Sequence, residues 1–174
     1  MKAIHAPSTA RRHKTILLGE SDVGKSSLML RLAGSEWDPY SASTIGMAFS
    51  IHSISVGGQD VQLECWDSAG QERFHSIVPL YFKGVSAVIL VYDVAQEKSR
   101  MKILNYWLPT LTSHFTPNLP HLFVVGNKID LLNGAEDDIT CAHQKLQEVC
   151  QRVEGSPSGC KSVQGYLSSA LENR

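Results

Sequence analysis

The chain has 174 residues, 43% hydrophobic and 19% charged, with 16 Lys+Arg against 17 Asp+Glu and a net charge of −1. That length can bury a core without disulfide or metal staples, and the composition argues against a disordered segment. The balanced charge supplies no basic field for nucleic acid or an anionic membrane. The cysteines, Cys65, Cys141, Cys150 and Cys160, form no CxxC pair and no zinc framework, so a reducing, cytoplasmic compartment is the simplest reading.

Residues 1–14 end in Arg11, Arg12, His13 and Lys14 and carry no apolar stretch, which reads as a loose polar arm and not a signal peptide. Residues 15–174 then read as one domain. Residues 15–18 are a short apolar run that stops at Gly19, the pattern of a buried strand feeding a turn. Residues 25–33 predict a helix that ends at Gly34. Residues 48–56 and 61–66 alternate apolar with polar around Gly57 and Gly58, which predicts a β-hairpin. Residues 85–92 and 122–125 are valine-rich runs suited to strands buried on both faces. The longest apolar run, 87–92, is six residues, far short of the ~20 that a membrane helix needs.

Between those strands, residues 98–114 place Met101, Leu104, Trp107, Leu108 and Leu111 at helical spacing, with Pro109 expected to disturb the helix. Residues 139–153 predict another helix, 154–161 a loop, and 163–167 a last strand. Strands alternating with helices imply a mostly parallel sheet covered on both faces.

Residues 19–26 fit GxxxxGKS, after a strand and before a helix. Glycines in such a loop let successive N–H groups face phosphates, Lys25 supplies a point charge, and the Ser26 hydroxyl can ligate Mg²⁺. The bland alternative is a Gly-rich turn. Asn127-Lys128-Ile129-Asp130 follows a strand, and a carboxylate there can accept both N–H groups of guanine's Watson–Crick edge. Adenine would leave Asp130 unpaired, a mismatch worth roughly 10⁴-fold discrimination. The alternative is a cap or turn, which Asn and Asp also favour. After the hairpin, Asp67 is placed to hold Mg²⁺ through water, Gly70 to offer its N–H to a γ-phosphate, and Gln71 to orient an attacking water. Thr44, in the loop before the hairpin, can complete the metal site. The seven histidines have no metal spacing and read as solvated or structural.

Together these segments resemble the Ras superfamily of small GTPases from about Thr15 to Leu171. Within that span residues 45–49, 66–74, 81–84 and 90–93 look like the segments that mark Rab proteins, and residues 19–21, 43–49 and 75–81 look most like the early-endosomal branch. The resemblance implies a three-layer P-loop G domain: a six-stranded, mostly parallel sheet with an antiparallel hairpin at its edge. It implies GTP or GDP held by Gly19, Ser21, Asp22, Val23, Gly24, Lys25, Ser26, Ser27, Trp37, Thr44, Gly70, Asn127, Lys128, Asp130, Ser169, Ala170 and Leu171. Mg²⁺ would be held by Ser26, Thr44 and Asp67, and Gln71 would be catalytic. Trp37 stands where the family keeps an aromatic residue against guanine, and residues 168–171 stand where it keeps a base-contacting segment, with Leu171 replacing the usual lysine.

The implied role is a monomeric switch in endocytic vesicle traffic, read by effectors, an exchange factor and a GTPase-activating protein through the loops around Thr44 and Gln71, without nucleic acid. The family continues past the position of Leu171 into a final helix and a tail ending in prenylated cysteine. The residues after Leu171 carry neither, so a truncated domain without an intrinsic lipid anchor is expected, with attachment to an endosomal surface requiring a longer, lipidated form. A non-cycling nucleotide- or partner-binding module is the alternative function. A P-loop kinase fits less well, because Asp130 and Gln71 have no role in one.

Overall fold

The structure, a computed structural model, describes residues 11–38, 40–132, 136–155 and 162–172. Its first strand, β1 (Arg11–Leu18), begins four residues before the apolar run, so residues 11–14 of the expected loose arm belong to the sheet. Residues 1–10 lie outside the described residues. The polarity of 11–14 conceals a strand because these side chains remain solvated while their backbone joins the ladder. Arg11 through Leu17 pair in register with Val61 through Asp67. The Lys14 ammonium lies 4.8 Å over the Trp66 ring and donates to the Lys83 carbonyl at 3.0 Å.

Helix α1 (Lys25–Leu32) follows, then β2 (Met47–Val56) and β3 (Gln59–Ser68). These two strands pair antiparallel from Met47↔Ser68 to Val56↔Gln59, joined by Gly57 and Gly58 at φ 59° and 78°. Both turn residues therefore take the left-handed conformation of a tight hairpin. Two short 3₁₀ turns, Glu72–Phe74 and Val78–Tyr81, lead to β4 (Val85–Asp93). Beyond it come α2 (Glu97–Lys102), a π-helical turn (Ile103–Trp107) and α3 (Leu108–Phe115). Strand β5 (His121–Asn127), a 3₁₀ turn (Ile129–Leu131), α4 (Glu136–Glu154) and β6 (Val163–Leu167) complete the order.

Pro109 disturbs its helix, as expected, without ending it: a π-helical turn stands immediately before Leu108 and Pro109. The Leu108 N–H bonds the Ile103 carbonyl, a five-residue step, and Pro109 falls in the first turn of α3. At that position its missing N–H costs little, and the widened turn immediately before it accommodates the ring. The expected loop at 154–161 lies largely outside the described residues.

The sheet runs β2-β3-β1-β4-β5-β6, with only the β2–β3 pair antiparallel. Ile16, Leu18, Val88, Leu90, Tyr92, Leu122 and Val124 form the sheet side of the core, met by Ile103, Trp107 and Leu111 from the π turn and α3 and by Leu146, Val149 and Val153 from α4. The 4- and 3-residue steps of the α4 set make one buried stripe. Helix α1 packs on β3 and adds no side chain to this cluster. The order reverses at β1: β3 lies on one side and β4 on the other. Right-handed crossovers leaving in opposite directions put α1 on the face opposite α3 and α4, and open a crevice beyond the carboxyl end of β1.

Candidate nucleotide-binding site

Residues after the carboxyl ends of β1, β3, β5 and β6 converge at that crevice. The loop from Gly19 to Gly24 turns β1 into α1, with Asp22 at φ 62° and Gly24 at φ 94°. The Lys25 side chain folds back over this loop, donating to the Gly19 carbonyl at 3.0 Å and the Glu20 carbonyl at 2.6 Å. Burial pushes its ammonium down to about 8, against the pull of Asp67, Glu20 and Asp22. Successive loop N–H groups and this buried cation form a cradle suited to anionic oxygens.

Three side-chain oxygens meet beside it. Ser26 Oγ donates to Asp67 Oδ2 at 2.5 Å, Thr44 Oγ1 donates to the same oxygen at 3.2 Å, and the two hydroxyls lie 2.7 Å apart. Asp67 Oδ1 is buried without a hydrogen-bond partner. Desolvation raises the Asp67 carboxyl above its ordinary range, with Ser26, Lys25 and Thr44 opposing the rise. An all-oxygen set with one orphaned, buried carboxylate oxygen fits a hard divalent cation such as Mg²⁺.

Gly70 sits against the phosphate loop. A Cβ there would fall 2.2 Å from the Glu20 carbonyl carbon and the Ser21 nitrogen, so no larger residue fits without parting the two loops. Gln71 follows in extended conformation, at φ −74° and ψ 136°, and opens the first 3₁₀ turn.

At the opposite end, Asn127 Nδ2 donates to the Val23 carbonyl at 2.9 Å, tying the end of β5 to the phosphate loop. Lys128 takes the left-handed conformation, and its ammonium pairs with the buried Asp93 carboxylate at 2.9 Å. Asp130 Oδ1 accepts from Ser169 Oγ, and the Ile129 N–H bonds the Ser168 carbonyl at 3.2 Å. Arg31 of α1 donates to the Ala170 carbonyl at 2.6 Å and the Leu171 carbonyl at 2.8 Å.

A cavity of about 290 Å³ is lined by Ser21, Asp22, Gly24, Lys25, Ser26, Ser27, Trp37, Thr44, Gly70, Gln71 and Lys128. Gly19 and Val23 are buried behind it. Asn127, Asp130, Ser169, Ala170 and Leu171 are not among its walls: Asn127 is bonded to the phosphate loop, Asp130 pairs with Ser169, and Arg31 holds Ala170 and Leu171. Asp67 likewise stands behind the wall, reaching the site through Ser26 and Thr44. Sequence reasoning passed over Asp38, Ser41, Ala42, Ser43 and Ser68, which also line the cavity, and Arg31, which holds residues 170 and 171. A serine-rich loop has no distinguishing pattern, and an arginine on a helix reads as a solvated charge.

Phe49, Trp66 and Phe74, three aromatic residues near the hairpin and the first 3₁₀ turn, differ in their surroundings. Phe49 is 49% exposed with its ring 4.7 Å from Trp66, and Trp66 stands 5.3 Å from Tyr81. Phe74 is half-buried, with the Arg73 guanidinium 4.9 Å over its ring.

The chain is similar to three curated proteins named Ras-related protein Rab-18 or Rab-18-B. It is 44% identical to that of Caenorhabditis elegans over 120 residues, covering 69% of this chain and 59% of the relative. It is 44% identical to that of Danio rerio over 124 residues, covering 71% and 60%. The Lymnaea stagnalis protein is 45% identical over 120 residues, covering 69% and 59%. The matched stretch thus spans about three-fifths of these relatives' own length. Their names are Rab names, as the motifs led us to expect. The Ras family model matches residues 14–162, from within β1 to just before β6, and the chain belongs to the Ras family.

Proposed function

We propose that the chain is a guanine-nucleotide switch that hydrolyses GTP to GDP and phosphate in one G domain over residues 15–174, with β1 starting slightly earlier. One observation carries this reading: Lys25, Ser26, Thr44, Gly70 and Gln71, from three separate segments, line a single cavity. Lys25 is charged below its lowered range, so its ammonium can exchange the Gly19 and Glu20 carbonyls for phosphate oxygens. Ser26, Thr44 and Asp67 would hold Mg²⁺, which when bound neutralises charge developing on the phosphates. Gly70 would offer its N–H to the γ-phosphate and Gln71 would orient the attacking water. Trp37 would lie along the base, Asn127 and Asp130 would read its edge, and Ser169, Ala170 and Leu171 would close over it.

The loops around Thr44 and Gln71 would change with the γ-phosphate and be read by effectors, an exchange factor and an activating protein, with the chain itself monomeric. Similarity to Rab-18 supports a role in vesicle traffic at a cytoplasmic membrane face, and residues 43–49 and 75–81 favour its endocytic arm. Among the described residues no helix is long and apolar enough to cross a membrane. Single-turnover hydrolysis of bound GTP tests the reading. Phosphate should be released only with Mg²⁺, and Gln71→Leu should slow it about 10-fold or more with GTP affinity kept. Mg²⁺-independent release, or an unchanged rate in the variant, would overturn the roles given. Tight binding without turnover would favour a non-cycling module.

A further inference from the structure

His75 is the one described histidine classed as buried, at 6% exposure, and nothing in the reading above uses it. Its ring stacks on Tyr106 with centroids 4.8 Å apart and meets Trp107 edge-on at 4.9 Å. Both partners come from the π-helical turn, whose extra residue brings two consecutive aromatic side chains to one imidazole. On its other side, His75 Nε2 lies 3.3 Å from the Gly70 carbonyl oxygen. A carbonyl can only accept, so this bond requires the proton on Nε2.

The Gly70 carbonyl belongs to the peptide group that joins Gly70 to Gln71. Fixing that oxygen fixes the plane from which the Gln71 chain departs, while Gly70 itself is wedged against the Glu20–Ser21 peptide. Lys102, the last residue of α2 before this turn, reaches the phosphate loop. Lys102 lies 5.0 Å over the Tyr106 ring, and its ammonium stands 3.8 Å from the Glu20 carboxylate. A closed circuit therefore runs from Glu20 through Lys102, Tyr106 and His75 to Gly70 and back to Glu20. Burial pushes the imidazole below its ordinary range, aided by Lys102 and opposed by the Gly70 carbonyl, Glu20 and Glu72. The neutral ring then has one proton to give, and the Gly70 oxygen is placed to take it.

We propose that His75 is a positioning residue for the hydrolysis: clamped by Tyr106 and Trp107, its Nε2–H holds the Gly70–Gln71 peptide in the orientation from which Gln71 addresses water. The proposal rests on the GTPase reading above. A purely structural histidine would need only its ring; a positioning one needs its donor. His75→Phe keeps the ring and removes the donor, whereas His75→Gln keeps an amide donor and removes the ring.

GTP-loaded chain is assayed by single turnover, with GTP and GDP affinities measured alongside. His75→Phe should lower the hydrolysis rate about 10-fold with affinities within about twofold, and His75→Gln should recover most of the rate. A wild-type rate in a folded His75→Phe, or a deeper loss in a folded His75→Gln, would overturn the proposal. Should either variant not fold, the unchanged chain decides. Imidazole ¹⁵N shifts should report the Nε2–H tautomer of His75 coupled to the Gly70 carbonyl, and an Nδ1–H tautomer would refute it. Failure of the unchanged chain to bind GTP would refute the parent reading instead, and the tautomer measurement stays independent of that result.

Discussion

Replacing Asn127 with alanine separates two roles that one side chain performs. Asn127 is 1% exposed, and its Nδ2 is the donor to the Val23 carbonyl at 2.9 Å. A Cβ on Gly24 would fall 2.3 Å from that same Nδ2, so the phosphate loop and the amide are in direct contact. Asn127→Ala would leave the Val23 oxygen unpaired beside a side chain that is 1% exposed. A buried acceptor that loses its partner costs about 1–3 kcal/mol, a large share of a domain's ~5–15 kcal/mol. The loss should therefore appear in the nucleotide-free chain, before any base is read. Urea unfolding followed by tryptophan fluorescence measures it, and Asp130→Ala serves as the comparison. Asp130 is only half-buried and pairs with Ser169, so that variant should lose guanine affinity with a much smaller change in the unfolding midpoint. A nucleotide-free Asn127→Ala chain with the wild-type midpoint would refute the bridging role. An excess of GDP would enlarge the difference by mass action, adding the lost nucleotide affinity to it, so the nucleotide-free condition isolates the bridge.

Two further perturbations follow from contacts in the site. Thr44→Ala removes one of the three clustered oxygens, and should spare GDP binding while weakening Mg²⁺-dependent GTP binding several-fold; equal Mg²⁺ dependence in titrations of the two nucleotides would contradict this. Arg31→Ala releases the Ala170 and Leu171 carbonyls, and should speed GDP dissociation, read by fluorescent-analogue release, with little change in hydrolysis of bound GTP; an unchanged off-rate would show that the clamp does not hold the base end.

The strands were legible wherever side chains report burial. Val85–Asp93 and Val163–Leu167 stand where apolar runs and alternation placed them, within a residue. Arg11 to Lys14 were not legible, because their strand is set by pairing with β3 while their side chains remain polar and solvated. Pro109 does disturb its helix, but the form of the disturbance was not legible, because the π turn at Ile103–Trp107 has no marker in composition. In the site, the phosphate loop and the residues from 127 to 130 were legible because the spacing itself carries the chemistry. The double use of Asn127, the grip of Arg31 and the stacking of His75 on Tyr106 join residues 104, 139 and 31 positions apart. No local pattern encodes such pairings; the fold alone makes them.

Base selectivity tests the central claim most directly. Equilibrium affinities for GDP, GTP, ATP and xanthosine nucleotides are measured on the unchanged chain and on Asp130→Asn. The unchanged chain should prefer guanine over adenine nucleotides by several orders of magnitude, on the scale of roughly 10⁴ set by an unmatched buried polar edge. Asp130→Asn should weaken guanine binding and gain xanthosine binding, because an amide complements the edge that a carboxylate repels. Equal affinity of the unchanged chain for ATP and GTP, or a substitution that leaves the base preference where it was, would contradict the account.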